Sequence, residues 1–250
     1  NDPNLKFNGS AFIDFRKEKE ITQIKAKLDT AFIDKLGFID EPLFVRTYCD
    51  INTNGLSIDS LLGSALLKQT HIEYEHKSLS LDSIRVISEK DGTNKKLTIE
   101  SSLADFSANG IYKYSSLISD LKNLGTEFYY SLKNDRQALT EYRKEKKSVI
   151  SVEPYKTFFE LNMHDVSPLG KLADIDLYVA PHSTVKGFFS NDKSYSLQLS
   201  AELDTVIFQQ KIFARNEIEF SASKKRDSVE GVSSLIVRSA NQQFSKIFKT

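Results

Sequence analysis

Four histidines and one cysteine are the residues of this sequence best suited to metal or nucleophilic chemistry. His71, Glu73 and Glu75 alternate along a predicted strand and would share one face, which makes them a candidate metal patch, with His76 on the opposite face. Side chains two residues apart on a strand are about 6.5–7 Å apart, so one strand alone does not build a compact tetrahedral site. The pattern therefore favours a solvated strand face over a metal site.

Recognisable catalytic motifs are missing from the sequence. There is no Gly-x-Ser-x-Gly elbow, no glycine-rich phosphate loop and no His-Glu-x-x-His. Segment 190–193 fits Ser-x-x-Lys but lies in a predicted turn, and His164 and His182 stand alone beside turns. Cys49 has no second cysteine to pair with and is expected to be a small buried hydrophobe. We therefore expect no enzymatic activity, no cofactor and no metal.

The charge balance argues against a polynucleotide partner. Lys and Arg together number 34, as do Asp and Glu, so no net positive field attracts nucleic acid. The sequence is 40% hydrophobic with 17 Phe and 10 Tyr, which is too apolar for a disordered chain. It contains no long apolar run, and residues 1–4 do not resemble the start of a signal peptide. The 250 residues are therefore expected to be a fragment whose anchor or signal lies elsewhere.

Most of the chain alternates apolar and polar residues with a period of two, which is typical of strands with one apolar face. Segments 5–15 and 21–28 indicate a hairpin, and Asp91-Gly92 is a strong turn signal between two later strands. The apolar positions change from odd to even between Leu81 and Ile84, and again between Leu103 and Phe106. Such changes predict bulged or bent strands in a strongly curved sheet.

One segment has helical rather than strand periodicity. Apolar residues recur at spacings of three and four, with Ser115 or Ser116 as a plausible N-cap. The stripe consists of Leu117, Leu121, Leu124, Phe128 and Leu132. Residues 143–147 are all charged and are predicted to be solvated. The helix 116–132 either covers an apolar groove or has a plain packing role.

The alternation leaves two architectures open. A closed β-sandwich buries the apolar face under a second sheet, and such a domain would be an interaction or carbohydrate-binding module. An open, curved sheet would instead offer the apolar face to acyl chains. Both bury one face and expose the other to water, so alternation alone does not distinguish them.

The order of five segments resembles the TamB family, and most closely the TamB-like proteins of Bacteroidota. The segments are AFIDKLG at 31–37, DINTNGLSIDSLLG at 50–63, LSLDSI at 79–84, LTIESSLADFSANG at 97–110 and APHSTVKGFFS at 180–190. The resemblance implies an internal fragment of a periplasmic protein of the AsmA-like superfamily, tethered to the inner membrane by an anchor outside the fragment. It also implies a β-taco, an elongated sheet folded lengthwise around an apolar groove. The partner implied is an Omp85-class outer-membrane barrel, reached through parts outside the fragment.

We therefore expect a mainly β fold: an elongated, strongly curved antiparallel sheet, the β-taco groove, with one inserted amphipathic helix. The expected organisation is a first sheet segment at 1–114, the inserted helix and charged extension at 115–148, and a second, continuous sheet segment at 149–250. The expected function is phospholipid transport between the two membranes, outer-membrane protein assembly, or both, with phospholipid acyl chains as ligands. The residues expected to line the groove are Leu79, Leu81, Ile84, Val86, Leu97, Ile99, Phe106 and Tyr112.

Overall fold

The computed structural model describes residues 2–16, 20–37, 39–55, 57–75, 77–133, 135–145, 153–173, 175–225, 228 and 231–243. The side chains of Phe128, Leu132, Glu145, Ala173 and residues 241–243 are outside the described part. Segment 146–148 of the predicted charged extension and His76 are also outside it.

Strands dominate the described chain. They are β1 (Leu5–Asp14), β2 (Ile21–Phe32), β3 (Leu43–Asn54), β4 (Leu62–Tyr74), β5 (Lys77–Asp91), β6 (Asn94–Ser101), β7 (Ala104–Ile111), β8 (Tyr155–Met163), β9 (Leu177–Val179), β10 (Thr184–Asn191), β11 (Ser194–Phe208), β12 (Lys211–Lys225) and β13 (Gly231–Gln243). The mainly β prediction is confirmed.

All thirteen strands belong to one antiparallel sheet that is not closed. Its order is β1-β2-β3-β4-β5-β6-β7-β8-β10-β11-β12-β13, and the short β9 pairs with β11 beside this path. Consecutive strands are therefore neighbours almost throughout, as expected for a meander built from short turns. The strands at the two ends of the path, β1 and β13, each pair on one side within the described residues.

Within the described residues, three helices accompany the sheet: α1 (Tyr114–Leu132), α2 (Arg136–Glu145) and α3 (Ser167–Ala173). The first two are inserted between β7 and β8, which pair directly with each other. The inserted amphipathic helix is confirmed as α1. The prediction of a solvated run at 143–147 is wrong for Arg143, because α2 folds back and Arg143 contacts Glu127 of α1. The opposite charges of these two residues explain the difference.

The first change of phase is accommodated by a row of strand irregularities. Leu79 and Leu81 are buried, Asp82 and Ser83 are both exposed, and Ile84 returns to the covered side. The neighbouring strand changes phase at the same level, where Gln69 has a φ of 49°. Register shifts between β1 and β2, β2 and β3, and β3 and β4 lie near this level. Bulges increase local twist and bend, so they curve this half of the sheet.

The second change of phase does not occur inside a strand. β6 ends at Ser101 and β7 begins at Ala104, so the odd and even positions belong to two strands joined by a tight turn. The Ser101 hydroxyl accepts hydrogen bonds from the backbone N–H groups of Leu103 and Ala104. Serine hydroxyls commonly stabilise such turns. A tight turn between two strands therefore stands where the sequence predicted a bulge or bend within one strand.

Helix α3 shows that the sheet curls. It packs against both β5 and β9, and β9 pairs with β11 on the side that faces β10, four places from β5 along the sheet. Four strand spacings measure about 19 Å on a flat sheet, whereas a seven-residue helix is about 10 Å long. The strongly curved sheet that the sequence predicts is therefore present.

Candidate functional site

A continuous row of apolar side chains crosses the whole sheet. Direct cross-strand pairing links one residue from each of the twelve strands of the path, and all twelve residues are apolar. The row is Ala11, Ile24, Ile51, Ala65, Val86, Ile99, Phe106, Leu161, Val185, Ala201, Ile218 and Val237. Directly paired residues share a face, so we call this side of the sheet the apolar face and the set the apolar row.

The apolar row runs at right angles to the strands, along the long dimension of the sheet. With neighbouring strands about 4.8 Å apart, twelve strands extend it over roughly 50 Å along the curved surface. This is longer than the hydrocarbon core of a bilayer, which is about 30 Å thick. The row is therefore long enough to contact an acyl chain over the whole length of that acyl chain.

The side chains of the row are only partly covered. Apart from Ala201, which is 4% exposed, none of them is fully buried, and Val237 at one end is 57% exposed. The strands form a single sheet, so no second sheet within the described chain covers this face. The row is thus an apolar surface that remains accessible over much of its length.

Five of the eight predicted groove residues lie in the apolar row or beside it on the same face. Val86, Ile99 and Phe106 are direct neighbours within the row, and Ile84 and Leu97 occupy adjacent levels on β5 and β6. These five are half-buried. Leu79, Leu81 and Tyr112 are buried at 4–6% exposure and so belong to packed regions rather than to an open surface.

Of the twelve residues of the row, the sequence-based candidates include Val86, Ile99 and Phe106 and miss those on β1–β4 and on the second half of the sheet. Leu161, Val185 and Ile218 continue the surface started by Phe106. Alternation marked Leu161 as a strand residue facing one side. It did not show which residue of the next strand lies opposite, and that register is what creates the row.

Helix α1 covers one margin of the apolar face. The buried cluster beneath it is formed by Ala108, Tyr112, Tyr114, Tyr155, Phe189 and Tyr195. Leu117 and Leu124 of the helix pack against this cluster, together with Leu97, Phe106 and Leu197 of the sheet. Of the other predicted cover residues, Leu121 is 44% exposed, while the side chains of Phe128 and Leu132 lie outside the described part. The packing role of α1 is therefore evident from its contacts.

Polar contacts fix α1 at three points along its length. At its start, the Asp59 carboxylate accepts hydrogen bonds from the backbone N–H of Ser115 at 2.9 Å and from the Ser115 hydroxyl at 2.5 Å. Burial alone would raise the pKa of Asp59, but these hydrogen bonds lower it. The predicted serine N-cap is wrong, because Lys113 occupies the N-cap position and makes no side-chain cap. A carboxylate from the β3–β4 loop binds the free N–H group instead.

The second and third contacts involve acidic residues on the side of α1 that faces the sheet. Asp120 is 5% exposed and accepts hydrogen bonds from the Tyr155 hydroxyl at 2.6 Å and Asn191 Nδ2 at 2.7 Å. Glu127 Oε2 lies 2.6 Å from Lys224 Nζ on β12. Together the three points hold α1 across strands that are distant in sequence.

The opposite face of the sheet carries two shallow hollows. One, of about 530 Å³, is lined mainly by outer side chains of β8 and β10–β13, including Phe158 and Phe188. Their ring centroids are 6.0 Å apart, and Lys156 Nζ lies 4.7 and 4.5 Å from them. The other, of about 670 Å³, is lined mainly by polar residues of β2–β5. Ile51 and Ala65 of the apolar row also border the second hollow, whereas no residue of the row borders the first.

The predicted histidine and glutamate patch is a hydrogen-bonded surface group. His71 Nδ1 lies 2.8 Å from the Ser80 hydroxyl and Nε2 lies 2.9 Å from Glu73. Both ring nitrogens are therefore engaged by neighbours on the same face of β4 and β5. The described residues contain no group of three or more potential metal ligands close enough to bind an ion.

None of the helices among the described residues is both long enough and apolar enough to cross a bilayer. Comparisons of the chain with protein-family models, with curated proteins and with solved structures found no match.

Proposed function

We propose that the apolar face is a non-enzymatic conduit for the acyl chains of phospholipids. The observation that carries the proposal is the unbroken apolar row, with one apolar residue in each of twelve consecutive strands. An acyl chain needs no directional partner, and its transfer from water to an apolar surface gains about 25 cal/mol per Å² buried.

The partial burial of the row fits a mobile ligand. Half-buried side chains such as Leu161 and Val185 leave apolar area in contact with water until a ligand covers it. Successive strands offer similar contacts, so a chain can move from one strand to the next without leaving apolar surroundings. A pocket for one molecule would instead place a few polar groups at fixed positions around it.

The resemblance to the TamB family gives this conduit a proposed setting. In that setting the protein is periplasmic and is tethered to the inner membrane through parts outside this sequence. It transfers phospholipid towards the outer membrane. An Omp85-class barrel is the proposed partner there, and assembly of outer-membrane proteins is the alternative use of the same sheet. The apolar row supports lipid contact in either case.

A sandwich module is less compatible with the observed strands. A β-sandwich requires two facing sheets, and the described strands form one. The row is covered at one margin by α1 rather than by a second sheet. The carbohydrate-binding alternative would therefore have to use the opposite face.

Site-specific photo-crosslinking tests the conduit with closely matched controls. A photoreactive amino acid is placed at Leu161, Val185 or Ile218 in the apolar row, and separately at the neighbouring Glu160, Lys186 or Glu219 on the opposite face. Protein carrying each probe is mixed with phosphatidylethanolamine and phosphatidylglycerol vesicles, irradiated, and analysed by mass spectrometry. We expect phospholipid adducts at the row positions and at least tenfold fewer at their neighbours.

A transfer assay tests whether binding leads to movement. The protein is added to donor and acceptor vesicles, and the exchange of a fluorescent phospholipid is followed. We expect Ile218→Lys to slow the exchange severalfold, because a charge interrupts the row, and Glu219→Lys to leave it unchanged. Equal adduct yields on both faces, or unchanged exchange in Ile218→Lys, would refute the conduit.

A further inference from the structure

The larger side chains of β8 and β10 leave a concave site on the face opposite to the apolar row. This is the hollow of about 530 Å³ described above, which we call the outer hollow. Phe158 pairs directly with Phe188, and the next three strands carry Gln198, Ser221 and Ser234 at the same level. The hollow therefore forms where small serines follow two large rings. Its volume is within the range of small-molecule pockets, about 300–1,000 Å³.

The two rings beside the outer hollow are held in place by a lysine. Lys156 Nζ lies 4.7 Å from the ring centroid of Phe158 and 4.5 Å from that of Phe188. Lys156 belongs to the level of the sheet on one side of the rings, whereas Lys186 and Ser200, which line the hollow, belong to the level on the other side. A cation is attracted to the face of an aromatic ring. The rings are therefore positioned from the side away from the hollow, and Phe158 remains 52% exposed.

The polar groups of the outer hollow are side-chain groups that both donate and accept hydrogen bonds. Gln198, Ser200 and Ser221 line it, and all three are exposed. Hydroxyl and amide groups can each act as donor and as acceptor. The backbone groups of β10, β11 and β12 are used in pairing these strands with one another, so a peptide cannot be added here as an extra strand. A ligand of this site must be recognised through side chains.

The two charged residues that line the outer hollow each have a partner of opposite charge. Lys186 Nζ lies 3.3 Å from Glu160 Oε1, and Glu219 Oε1 accepts a hydrogen bond from Arg238 Nη1 at 2.8 Å. Opposite charges so close together cancel most of each other's field at a distance. The lining therefore favours a neutral ligand over a phosphate or a carboxylate.

A neutral sugar combines the two properties that this lining requires. The flat side of a pyranose ring carries C–H groups, which are attracted to the electron-rich face of an aromatic ring. Its edge carries hydroxyl groups, which donate and accept hydrogen bonds as serine and glutamine do. We propose that the outer hollow binds a neutral saccharide, with one sugar ring against Phe158 and Phe188 and its hydroxyls bonded to Gln198, Ser200 and Ser221. The site lies on the face opposite to the apolar row, so the proposal does not depend on lipid binding, and failure of either one leaves the other intact.

Nuclear magnetic resonance titration tests the site with defined saccharides. Tetrasaccharides of glucose, mannose, galactose and N-acetylglucosamine are added separately, up to about 10 mM, which is enough to detect a millimolar dissociation constant. We expect at least one of them to shift the backbone amide signals of Phe188 and Ser221 and the side-chain amide signals of Gln198. Raising the salt concentration from about 0.05 to 0.5 M should leave the affinity unchanged, because a neutral ligand is not screened. No shift with any of the four, shifts confined to other residues, or binding that is lost in salt would overturn the proposal.

Two matched pairs of substitutions test the proposed contacts. Phe158→Ala removes an exposed ring beside the hollow, and Phe12→Ala removes a ring of similar exposure, 57%, from the same face of β1. Ser221→Leu fills the hollow at an exposed position, and Ser223→Leu adds the same side chain two residues further along β12, outside the lining. We expect Phe158→Ala and Ser221→Leu each to weaken saccharide binding at least fivefold and the two control variants to leave it unchanged. Equal affinities in all four variants would refute the site.

Discussion

The Asp120 carboxylate of α1 and the Tyr155 hydroxyl at the start of β8 form a buried 2.6 Å hydrogen bond beside the apolar cluster beneath the helix. Asn191 of β10 donates to the same carboxylate oxygen, Oδ2, at 2.7 Å. Burial raises the pKa of Tyr155, and the hydrogen bond to Asp120 raises it further, so the phenol stays a donor. One buried acidic residue thus joins the inserted helix to two strands.

Replacing this carboxylate tests how strongly α1 is held. In Asp120→Asn the side-chain oxygen that takes the place of Oδ2 is an uncharged and therefore weaker acceptor for both donors, Tyr155 and Asn191. We expect the free energy of unfolding to fall by about 1–3 kcal/mol, the usual cost of disturbing a buried hydrogen-bonded polar group. Urea denaturation followed by circular dichroism measures the change.

Asp192→Asn provides the matched control, since Asp192 is exposed in the adjacent β10–β11 turn. It makes the same chemical change one residue away from Asn191 and should alter stability by less than about 0.5 kcal/mol. If both variants lose the same amount of stability, the Asp120 contact does not anchor the helix.

The far end of α1 should make stability depend on acid pH. Burial alone would raise the pKa of Glu127, but hydrogen bonds and charges from Lys224 and Arg143 outweigh it and hold the pKa below its usual 4.5. The folded state therefore binds the proton less readily than the unfolded state. The resulting stabilisation is fully present above the unfolded pKa and is lost as the pH falls through the folded pKa.

Denaturation curves measured between pH 3 and 7 for the unmodified chain and for Glu127→Gln test this dependence. The difference in unfolding free energy between them should be largest near neutral pH and should shrink below about pH 4.5, in the range set by the Glu residue's unfolded value. Glu141→Gln, on the exposed side of α2, serves as the control and should follow the unmodified chain. A constant difference across the whole range would contradict the prediction.

The local features of this fold were readable from the sequence because they depend on neighbouring residues. Alternation predicted the strands, and Asp91-Gly92 predicted the turn between β5 and β6. The change of the apolar positions from odd to even numbers after Leu81 predicted the irregularity in β5. Each of these is set by side-chain direction over a few residues. The prediction of a bulge was wrong between Ile99 and Phe106. A change from odd to even apolar positions can come from a bulge or from a tight turn, and the pattern alone does not separate the two.

The contacts that build the candidate site were not readable in this way. Asp120 bonds to a residue 71 positions away, and Glu127 to one 97 positions away. In the helical pattern both were polar interruptions of a leucine stripe, although they face the sheet together with Leu117 and Leu124. The apolar row likewise depends on register between strands, which alternation does not contain.

Two glycines should respond in opposite ways to the same substitution. Gly63 has a φ of +134° at the start of β4, and a Cβ there would lie 2.1 Å from the backbone oxygen of Asn52 on β3. Gly125 lies within α1, and a Cβ there would meet nothing within 4 Å. The first position requires glycine for both conformation and space, whereas the second does not.

We therefore expect Gly63→Ala to lower the melting temperature and the unfolding free energy, by about 1–3 kcal/mol for the strained conformation alone. Gly125→Ala should raise the unfolding free energy by up to about 1 kcal/mol, because alanine is the better helix former. Differential scanning calorimetry of the two variants beside the unmodified chain decides the signs. A stabilising Gly63→Ala would show that β3 and β4 are not packed as closely as described.

Thr47 and Thr70 form a hydroxyl pair at the level of the strand irregularities. Replacing one or the other should lower the free energy of unfolding by different amounts. The hydroxyls of Thr47 and Thr70 are 2.8 Å apart, and both residues are buried. The Thr47 hydroxyl also reaches the carbonyl oxygens of Lys68 and Tyr48 at 3.3 and 3.4 Å. In the described part of the chain the Thr70 hydroxyl has Thr47 as its hydrogen-bond partner.

Thr70→Val should therefore cost about 1 kcal/mol, since Thr47 keeps its carbonyl acceptors, whereas Thr47→Val should cost up to about 3 kcal/mol because it leaves a buried hydroxyl unpaired. The double variant should be less destabilised than the sum of the two single variants, as expected for residues that interact directly. Urea unfolding of the four proteins completes the cycle. Additive effects would mean that the two hydroxyls are not coupled.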